Sequence, residues 1–285
     1  MVNWYPGHMV RAKKVFENNI KFIDLVIEVL DARIPESSRT NEINKVLKNK
    51  EHIIILNKQD LADDAVTRKW MKHYEYKEKV KTLAVNALKS SNIINVKKKI
   101  NSISKELNKK MRDRGRKPRS IRVMVVGIPN VGKSALINSL AGSGIARTGD
   151  KPGVTRGKQW IKIANKIELL DTPGILSPEL ENEEKAYKLA ITGAIKKTNY
   201  DQEIAACRFI DYTRNINKQI IEDHYNIKIN EEHSYDVLRL IGKKRGCLMS
   251  GGKVDRERAA GIILADYQRG NIGAVSLEVP INEGI

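Results

Sequence analysis

Short apolar runs alternate with amphipathic stretches over the first ~170 residues of the chain. Residues 22–30 and 52–56 are rich in isoleucine, valine and leucine, a pattern typical of strands buried on both faces. The same pattern predicts four more strands, at 80–85, 121–127, 159–163 and 166–170. Because helical spacing of apolar residues separates most of these runs, we predict an α/β fold with a mostly parallel sheet covered on both faces.

Beyond about residue 179 the strands give way to apolar stripes at helical spacing. These stripes predict helices at 186–197, 203–216, 234–244 and 256–270. A strand-like stretch follows only near 274–279. With 285 residues the chain is long enough for two domains. We therefore predict an α/β domain over 1–178 and a smaller, all-helical domain over 179–285.

Positive charge is concentrated in the predicted α/β domain. The formal net charge is +18, but residues 1–178 hold 36 Lys and Arg against 17 Asp and Glu, whereas residues 179–285 hold 16 against 17. This asymmetry favours a polyanionic partner such as nucleic acid. The alternative is that a Lys-, Asn- and Ile-rich composition reflects the base composition of the genome. Residues 105–122 carry nine basic and two acidic side chains around Gly115 and Pro118 and are predicted to form a linker or docking arm.

Composition disfavours several classes of protein. No apolar run approaches the ~20 residues that cross a bilayer, and the first residues lack the apolar core of a secretory signal. The two cysteines, Cys207 and Cys247, do not have the spacing of a metal site or a disulfide framework. We therefore expect a monomeric, cytoplasmic protein without membrane contact.

A phosphate-binding motif, GIPNVGKS at 127–134, follows a predicted strand and opens the helical stretch SALINSL. In this setting glycines allow backbone N–H groups to surround phosphates. Lys133 is expected to reach the β- and γ-phosphates, and Ser134 to hold Mg²⁺. The predicted nucleotide contacts in this loop are Asn130, Val131, Gly132, Lys133, Ser134 and Ala135. The alternative is a glycine-rich turn with an incidental Lys-Ser.

Two further motifs fit the same chemistry. Asp171-Thr-Pro-Gly174 ends a predicted strand, where Asp171 can bind Mg²⁺ through water and Gly174 can offer its N–H to a γ-phosphate. By itself this motif could be a turn. Residues 151–155, KPGVT, lie at the spacing of a mobile loop whose threonine, Thr155, completes the Mg²⁺ shell.

Base recognition is predicted at Asn57-Lys-Gln-Asp60, at the end of the strand HIIIL. The Asp60 carboxylate can accept hydrogen bonds from N1–H and the exocyclic amine of guanine, and adenine offers neither donor there. Lys58 can lie against the base, and Asn57 can tie this loop to the phosphate motif. The next strand ends in Asn86-Ala87, in the position of a loop whose backbone, at Asn86 and Ala87, touches the guanine oxygen.

Together these motifs resemble those of the translation-factor class of P-loop GTPases, with the base motifs preceding the phosphate motif. Among circularly permuted GTPases the sequence is most similar to the ribosome biogenesis GTPase A (YlqF-type) family. The resemblance spans nearly the whole chain and is carried by NWYPGHM at 3–9, DAR at 31–33, NKQD at 57–60, GIPNVGKS at 127–134, KPGVT at 151–155 and DTPG at 171–174. It implies GTP and GDP as ligands with Mg²⁺, and contacts with ribosomal RNA and ribosomal proteins.

The rearranged order predicts a hinge between the two domains. The new break falls just after Gly174, so the γ-phosphate loop runs directly into the helical domain, and 105–122 is expected to join the old ends. We hypothesise that the nucleotide state reaches the helical domain through 174–180, as an order-to-disorder switch.

The motifs leave the catalytic group open, because Ile175 stands where many GTPases have a water-orienting glutamine. Besides Lys133 and Thr155, the resemblance suggests His8, a K⁺ ion held partly by Asn130, or a group from the ribosome. His8 could equally pack beside the aromatic residues near it, and Asn130 could have a purely structural role.

Two functions of different class are consistent with these features. The first is a GTP-hydrolysing assembly factor that binds a late precursor of the large ribosomal subunit and leaves after hydrolysis. The second is an RNA-binding scaffold or checkpoint in which GTP binding rather than hydrolysis matters. A third, a permuted GTPase of tRNA or membrane biology, is disfavoured because no lipid or amphipathic anchor is visible. Basic residues at 243–245, 253, 256 and 258 could face RNA or form a solvated helix end.

Overall fold

The computed structural model describes residues 19–40, 47, 50–142, 159–163, 167–171, 182–230 and 233–280. Within these residues one sheet contains six strands, β1 Leu25–Asp31, β2 Glu51–Asn57, β3 Lys81–Val85, β4 Ile121–Val126, β5 Gln159–Ile163 and β6 Ile167–Asp171. Their spatial order is β3-β2-β1-β4-β6-β5. β5 is antiparallel to β6, and the other neighbours are parallel. The predicted α/β class with a mostly parallel sheet is confirmed.

Helices cover both faces of the sheet. The described residues between and beside the strands form α1 Asp64–Lys77, α2 Ser90–Asp113 and α3 Lys133–Ala141, together with a short 3₁₀ turn at Gln59–Leu61. Trp70 and Tyr74 of α1 pack with one set of buried strand residues. The apolar stripes of α2 and α3 pack with the set on the opposite face. β1 is therefore buried along its whole length, as expected for a central parallel strand.

Residues 105–122 were predicted to form a linker or docking arm. The prediction of a linker is wrong for the first part of this range, because helix α2 continues to Asp113. The apolar stripe of this helix persists through its later turns, and the lysines, glutamate and leucine there are good helix formers. The buried Asn108 holds the connection that follows the helix, since its side-chain oxygen accepts from the backbone N–H of Arg119 at 2.9 Å. Only residues 114–120 form the connection to β4, and most of them are exposed.

Five α-helices follow the sheet in the described part of the chain, α4 Glu183–Ile191, α5 Gln202–Asn217, α6 Gln219–Tyr225, α7 Ser234–Lys244 and α8 Arg256–Arg269, with a short 3₁₀ turn at Lys197–Asn199. The four helices predicted from apolar stripes are therefore present, although the first ends earlier than predicted. Their buried side chains belong to the same apolar cluster as the sheet. At its centre the Phe209 and Tyr267 rings lie 4.5 Å apart. We refer to residues 182–280 as the helical region.

The chain after α8 is not the strand predicted near 274–279. It is an extended segment whose N–H groups donate to loops instead of to a neighbouring strand: Val275 to the Leu61 carbonyl at 3.1 Å, and Leu277 to the Arg33 carbonyl at 2.9 Å. This segment fastens the helical region to the loops after β1 and β2. The domain boundary near 178 stays a prediction, because 172–181 lie outside the described residues. None of the described helices has the length and apolarity needed to span a bilayer.

Candidate functional site

Three sequence motifs meet at one edge of the sheet. Residues 57–60, the base loop, follow β2; Asn86 and Ala87 follow β3; and residues 127–134, the phosphate loop, follow β4. Because β1 to β4 are parallel neighbours, their carboxyl ends lie side by side. In open parallel sheets this is where ligands bind.

The buried side chain of Asn57 joins all three motifs. Its amide nitrogen donates to the carbonyl of Val131 in the phosphate loop at 2.8 Å. Its amide oxygen accepts from the backbone N–H of Ala87 at 3.0 Å. The bond to the phosphate loop is the one expected from the sequence, whereas the bond to Ala87 was not expected. One side chain therefore sets the spacing of the three loops.

Backbone geometry explains the two glycines of the phosphate loop. Gly127 and Gly132 have φ angles of +150° and +97°, values that side chains with a Cβ rarely adopt. A Cβ at Gly127 would collide with the Val29 carbonyl, and one at Gly132 with the Asn57 amide. Gly132 caps α3 without a side-chain hydrogen bond. The first N–H groups of a helix are a common binding position for anions.

Three polar side chains of the phosphate loop and α3 differ in their surroundings. The Lys133 ammonium is buried and donates to the carbonyl of Ile128, within the loop, at 2.6 Å. Asn130 has a φ angle of +62° and donates from its side chain to the carbonyl of Gly193 in the helical region at 2.9 Å. Ser134 is half-buried in the first turn of α3, next to Ala135. Asn130 thus connects the phosphate loop directly to the helical region.

The two charged side chains of the base loop, Asp60 and Lys58, have different surroundings. Asp60 lies in the 3₁₀ turn and is exposed, so its carboxylate is accessible to a ligand. Lys58 has a left-handed backbone, with φ of 61°, and its ammonium lies 2.9 Å from Oδ2 of Asp31. Burial lowers the pKa of Lys58, although the Asp31 carboxylate acts in the opposite direction.

A buried ion pair behind the base loop was not assigned a role from the sequence. Arg33 donates from Nε to Oδ1 of Asp31 at 2.9 Å and from Nη2 to Oδ2 at 2.8 Å. Burial acts to raise the pKa of Asp31, but the charges and hydrogen bonds of Arg33 and Lys58 outweigh it and hold this pKa well below its usual range. The only sequence signal was the DAR string at the end of an apolar run.

Four of the predicted site residues lie wholly or partly outside the described residues. His8, Thr155 and Gly174 lie outside the described residues. Asp171 is the last residue of β6, paired with Gln159 of β5, and its side chain is also outside the described part. The roles predicted for these four residues stay predictions.

The basic residues of the helical region that were predicted to face RNA or solvent lie at the surface, and two of them also contact other side chains. Lys243, Lys244 and Lys253 are exposed. Arg245 lies over the Tyr225 ring, and Arg256 is paired with Glu203 at 3.2 Å. Arg245, Arg256 and Arg258 are exposed as well, so all six residues are accessible to an anionic surface.

Known proteins match both the sequence and the fold. A protein-family model described as "50S ribosome-binding GTPase" matches residues 122–239. A relative from Priestia megaterium, named Ribosome biogenesis GTPase A, is 43% identical over 284 residues, which cover 98% of this chain and 97% of the relative. This alignment includes the motifs on both sides of the rearranged order.

Two solved structures are similar over nearly the full chain. The GDP-bound structure of TM YlqF has a TM-score of 0.68 and 28% identity, covering 93% of this chain and 99% of the other. The GNP-bound YlqF from T. maritima has a TM-score of 0.65 and 28% identity, covering 96% and 100%. With a curated relative at 43% identity aligned over almost its whole length, the chain belongs to the ribosome biogenesis GTPase A family and is a GTPase.

Proposed function

We propose that GTP and GDP bind at the sheet edge where Asn57 joins the base loop, the phosphate loop and Ala87. The two hydrogen bonds of this buried amide carry the proposal, because they hold a base-reading carboxylate and a phosphate-binding helix end at a fixed spacing. Asp60 reads the guanine edge, and the stem of Lys58 lies against the base. The loop of Asn86 and Ala87 lies beside the guanine oxygen, and its two N–H groups are also bonded to Asn92 and Asn57.

The described residues of the phosphate loop support the binding of a nucleotide, and Mg²⁺ is proposed from the sequence motifs. Both glycines of the phosphate loop lack room for a side chain, and helix α3 begins without a side-chain cap, so the loop offers N–H groups to phosphate oxygens. Ser134, Thr155 and Asp171 hold the metal in this proposal, and Gly174 contacts the γ-phosphate. Bound Mg²⁺ neutralises charge on the phosphates. Lys133 exchanges its bond to the Ile128 carbonyl for phosphate oxygens.

GTP hydrolysis requires a water-positioning group, which is proposed from the sequence motifs alone. Ile175 has no polar atom to orient water. His8 of the NWYPGHM segment is one proposed group. A K⁺ ion held partly by the Asn130 side-chain oxygen is a second, and it is compatible with the bond to the Gly193 carbonyl because that bond uses the amide nitrogen. A group supplied by the ribosome is a third.

The partner in this proposal is a late precursor of the large ribosomal subunit, including its ribosomal RNA and ribosomal proteins. The chain binds it in the GTP form and leaves after hydrolysis. Support comes from the relative named Ribosome biogenesis GTPase A and the family description "50S ribosome-binding GTPase". The end of α2 and the connection to β4 add an exposed cluster of basic side chains, Lys105, Lys109, Lys110, Arg112, Arg114, Arg116 and Lys117. Such clusters bind phosphates and give salt-dependent affinity.

One experiment tests both halves of the proposal. GTP turnover is measured with and without large subunits, in potassium and in sodium buffers, and subunit binding is measured with GTP, GDP and a non-hydrolysable analogue. We expect subunits to stimulate turnover, and the analogue to give the tightest subunit binding and the slowest release. If GTP and the analogue give equal subunit binding, and GTP hydrolysis does not change that binding, the scaffold function is favoured instead. Absence of guanine-nucleotide binding would contradict both functions.

A further inference from the structure

Three successive carbonyl groups, those of the last residue of helix α4 and of the two residues after it, each accept from a side chain of a different segment. The Ile191 carbonyl accepts from Gln268 of α8 at 3.0 Å, the Thr192 carbonyl from Arg33 at 3.1 Å, and the Gly193 carbonyl from Asn130 at 2.9 Å. The last carbonyls of a helix lack intrahelical donors and carry partial negative charge. We call these three oxygens the carbonyl clamp.

Two of the three donors belong to the candidate nucleotide site. Asn130 is part of the phosphate loop. Arg33 is bonded to Asp31, which in turn binds the ammonium of Lys58 in the base loop. The third donor, Gln268, comes from within the helical region. The clamp therefore receives one contact from the base side of the site and one from the phosphate side.

Arg33 is the buried member of this set. Its exposed fraction is 0%, and its guanidinium lies 5.0 Å from the centre of the Tyr267 ring in α8. Its own carbonyl accepts from Leu277 in the segment after α8. A single residue thus contacts Asp31 behind the base loop, the end of α4, and α8 with the segment that follows it.

We propose that Arg33 is a positioning residue that couples occupation of the base loop to the seating of helix α4. The proposal rests on the proposed function, in that guanine nucleotide must bind the base loop. Nucleotide that orders Lys58 also fixes Asp31 and Arg33, and Arg33 then holds the Thr192 carbonyl. Coupling of this kind is reciprocal. If nucleotide tightens the clamp by some factor, loosening the clamp weakens nucleotide binding by the same factor.

A purely structural ion pair predicts a different result. In that case changes at Arg33 alter the opening of α4 equally with and without nucleotide. Coupling instead predicts that a substitution at Arg33 changes the ratio of hydrogen-exchange protection with nucleotide to protection without nucleotide. The ratio is therefore the quantity to measure.

The experiment is amide hydrogen exchange of residues 188–195, with and without saturating GDP, together with GDP affinity. The variant is Arg33→Lys, which keeps the charge but loses the forked contacts. Gln268→Ala is the matched control, because it removes a bond to the same clamp from a residue that contacts neither nucleotide loop. Wild-type protein is expected to gain protection on GDP binding by a factor within about 5 to 150.

In Arg33→Lys we expect this factor to fall below about twofold and GDP affinity to drop by the same ratio as the factor. Gln268→Ala should lower protection in both states and leave the factor at its wild-type value. An Arg33→Lys protein that keeps the wild-type factor overturns the proposal, as does a wild-type protein that binds GDP without any gain in protection. A wild-type protein that does not bind GDP contradicts the proposed function instead.

A second variant keeps the test decisive if Arg33→Lys does not fold. The pair Asp31→Asn with Arg33→Gln removes both charges of the buried Asp31–Arg33 pair and can retain hydrogen bonding between the two side chains, and the Lys58 ammonium then faces an amide instead of a carboxylate. We expect the same loss of the GDP-dependent factor. Retention of the factor in this folded double variant overturns the proposal.

Discussion

The interiors of the sheet and of the helical region are apolar, whereas several of the contacts that join the two regions are polar. Inside the sheet, β1 is buried along its whole length, and inside the helical region Phe209 packs on Tyr267. Between them runs a string of polar contacts that we call the polar seam, formed by Asp31, Arg33, Ser37, Asp63, Thr192, Ser276 and Glu278. Apolar burial supplies most folding free energy, whereas directional polar contacts fix orientation.

Glu278 shows how the seam is built. Its buried carboxylate accepts from the backbone N–H groups of Glu36 at 2.9 Å and Ser37 at 3.1 Å, and from the Ser37 hydroxyl. Its carbonyl accepts from the Trp70 indole at 3.1 Å. The segment after α8 is therefore attached both to the loop after β1 and to helix α1. We expect substitutions in the seam to lower the free energy of unfolding less than substitutions in the core. We also expect the contribution of seam residues to depend more strongly on their state of charge.

The largest effect is expected in the apolar interior. Phe209→Ala removes a fully buried ring and should lower the free energy of unfolding by about 3–5 kcal/mol. Urea denaturation measures this change. Ile216→Ala on the same helix is the control, since 54% of Ile216 is exposed. Equal losses for the two variants would contradict the assignment of Phe209 to the core.

A smaller effect is expected in the polar seam. Glu278→Ala leaves the N–H groups of Glu36 and Ser37 without their acceptor, and should cost about 1–3 kcal/mol in urea denaturation. The exposed Glu257 provides the control as Glu257→Ala. A loss larger than that of Phe209→Ala would reverse the ranking of core and seam.

The seam also predicts a dependence on pH. Burial raises the pKa of Glu278 above its usual value of 4.5, against the lowering influence of Ser37 and Lys188. The folded state therefore holds this proton more tightly than the unfolded chain. Its contribution to stability is present below about pH 4.5 and is lost as pH rises through the folded pKa.

The measurement is the free energy of unfolding at several pH values from 4.5 upward, for wild type and Glu278→Gln. The variant cannot titrate at this position, so its stability should fall less steeply with rising pH than that of wild type. Identical slopes would show that Glu278 does not titrate differently in the folded state. The pH dependence expected from Asp31 has the opposite direction. The pKa of its carboxyl is lowered in the folded state, so its contribution to stability is lost as pH falls below its usual pKa.

The smallest effect is expected at the surface of the sheet half. Arg68 and Asp64 form an exposed ion pair on α1. Exposed pairs of this type contribute about 0–1 kcal/mol and are screened by salt. Arg68→Ala should therefore change the urea midpoint little, and less so in high salt. A loss comparable to that of Glu278→Ala would contradict the distinction between surface and seam.

Much of the architecture follows from local sequence. The six strands and the main helices were predicted because apolar periodicity is a local signal. The end of α2 was predicted to be a linker or docking arm because its composition is strongly basic, but the apolar stripe of the helix continues through it. The segment near 274–279 was predicted as a strand, but the N–H groups of Val275 and Leu277 donate to loop carbonyls, which local composition does not reveal.

The candidate site divides in the same way. Its loops were found because glycine, lysine and asparagine at fixed spacing have few alternative uses. The seam was not found because its members are far apart in the chain: Arg33 and Thr192 are separated by 159 positions, and Ser37 and Glu278 by 241. Polar residues that become buried through such distant partners resemble ordinary surface residues in sequence.

The most direct test of the account is the affinity of GDP for an Asn57→Ala variant. Asn57 is the one side chain seen to bond both the phosphate loop and Ala87 among the described residues. Its loss should weaken GDP binding by about 2–3 kcal/mol, roughly 30- to 150-fold. The control is Gln59→Ala in the same loop, which loses only its bond to Asn92 and should stay within about threefold of wild type. A folded Asn57→Ala protein with wild-type GDP affinity would contradict the claim that this amide assembles the site.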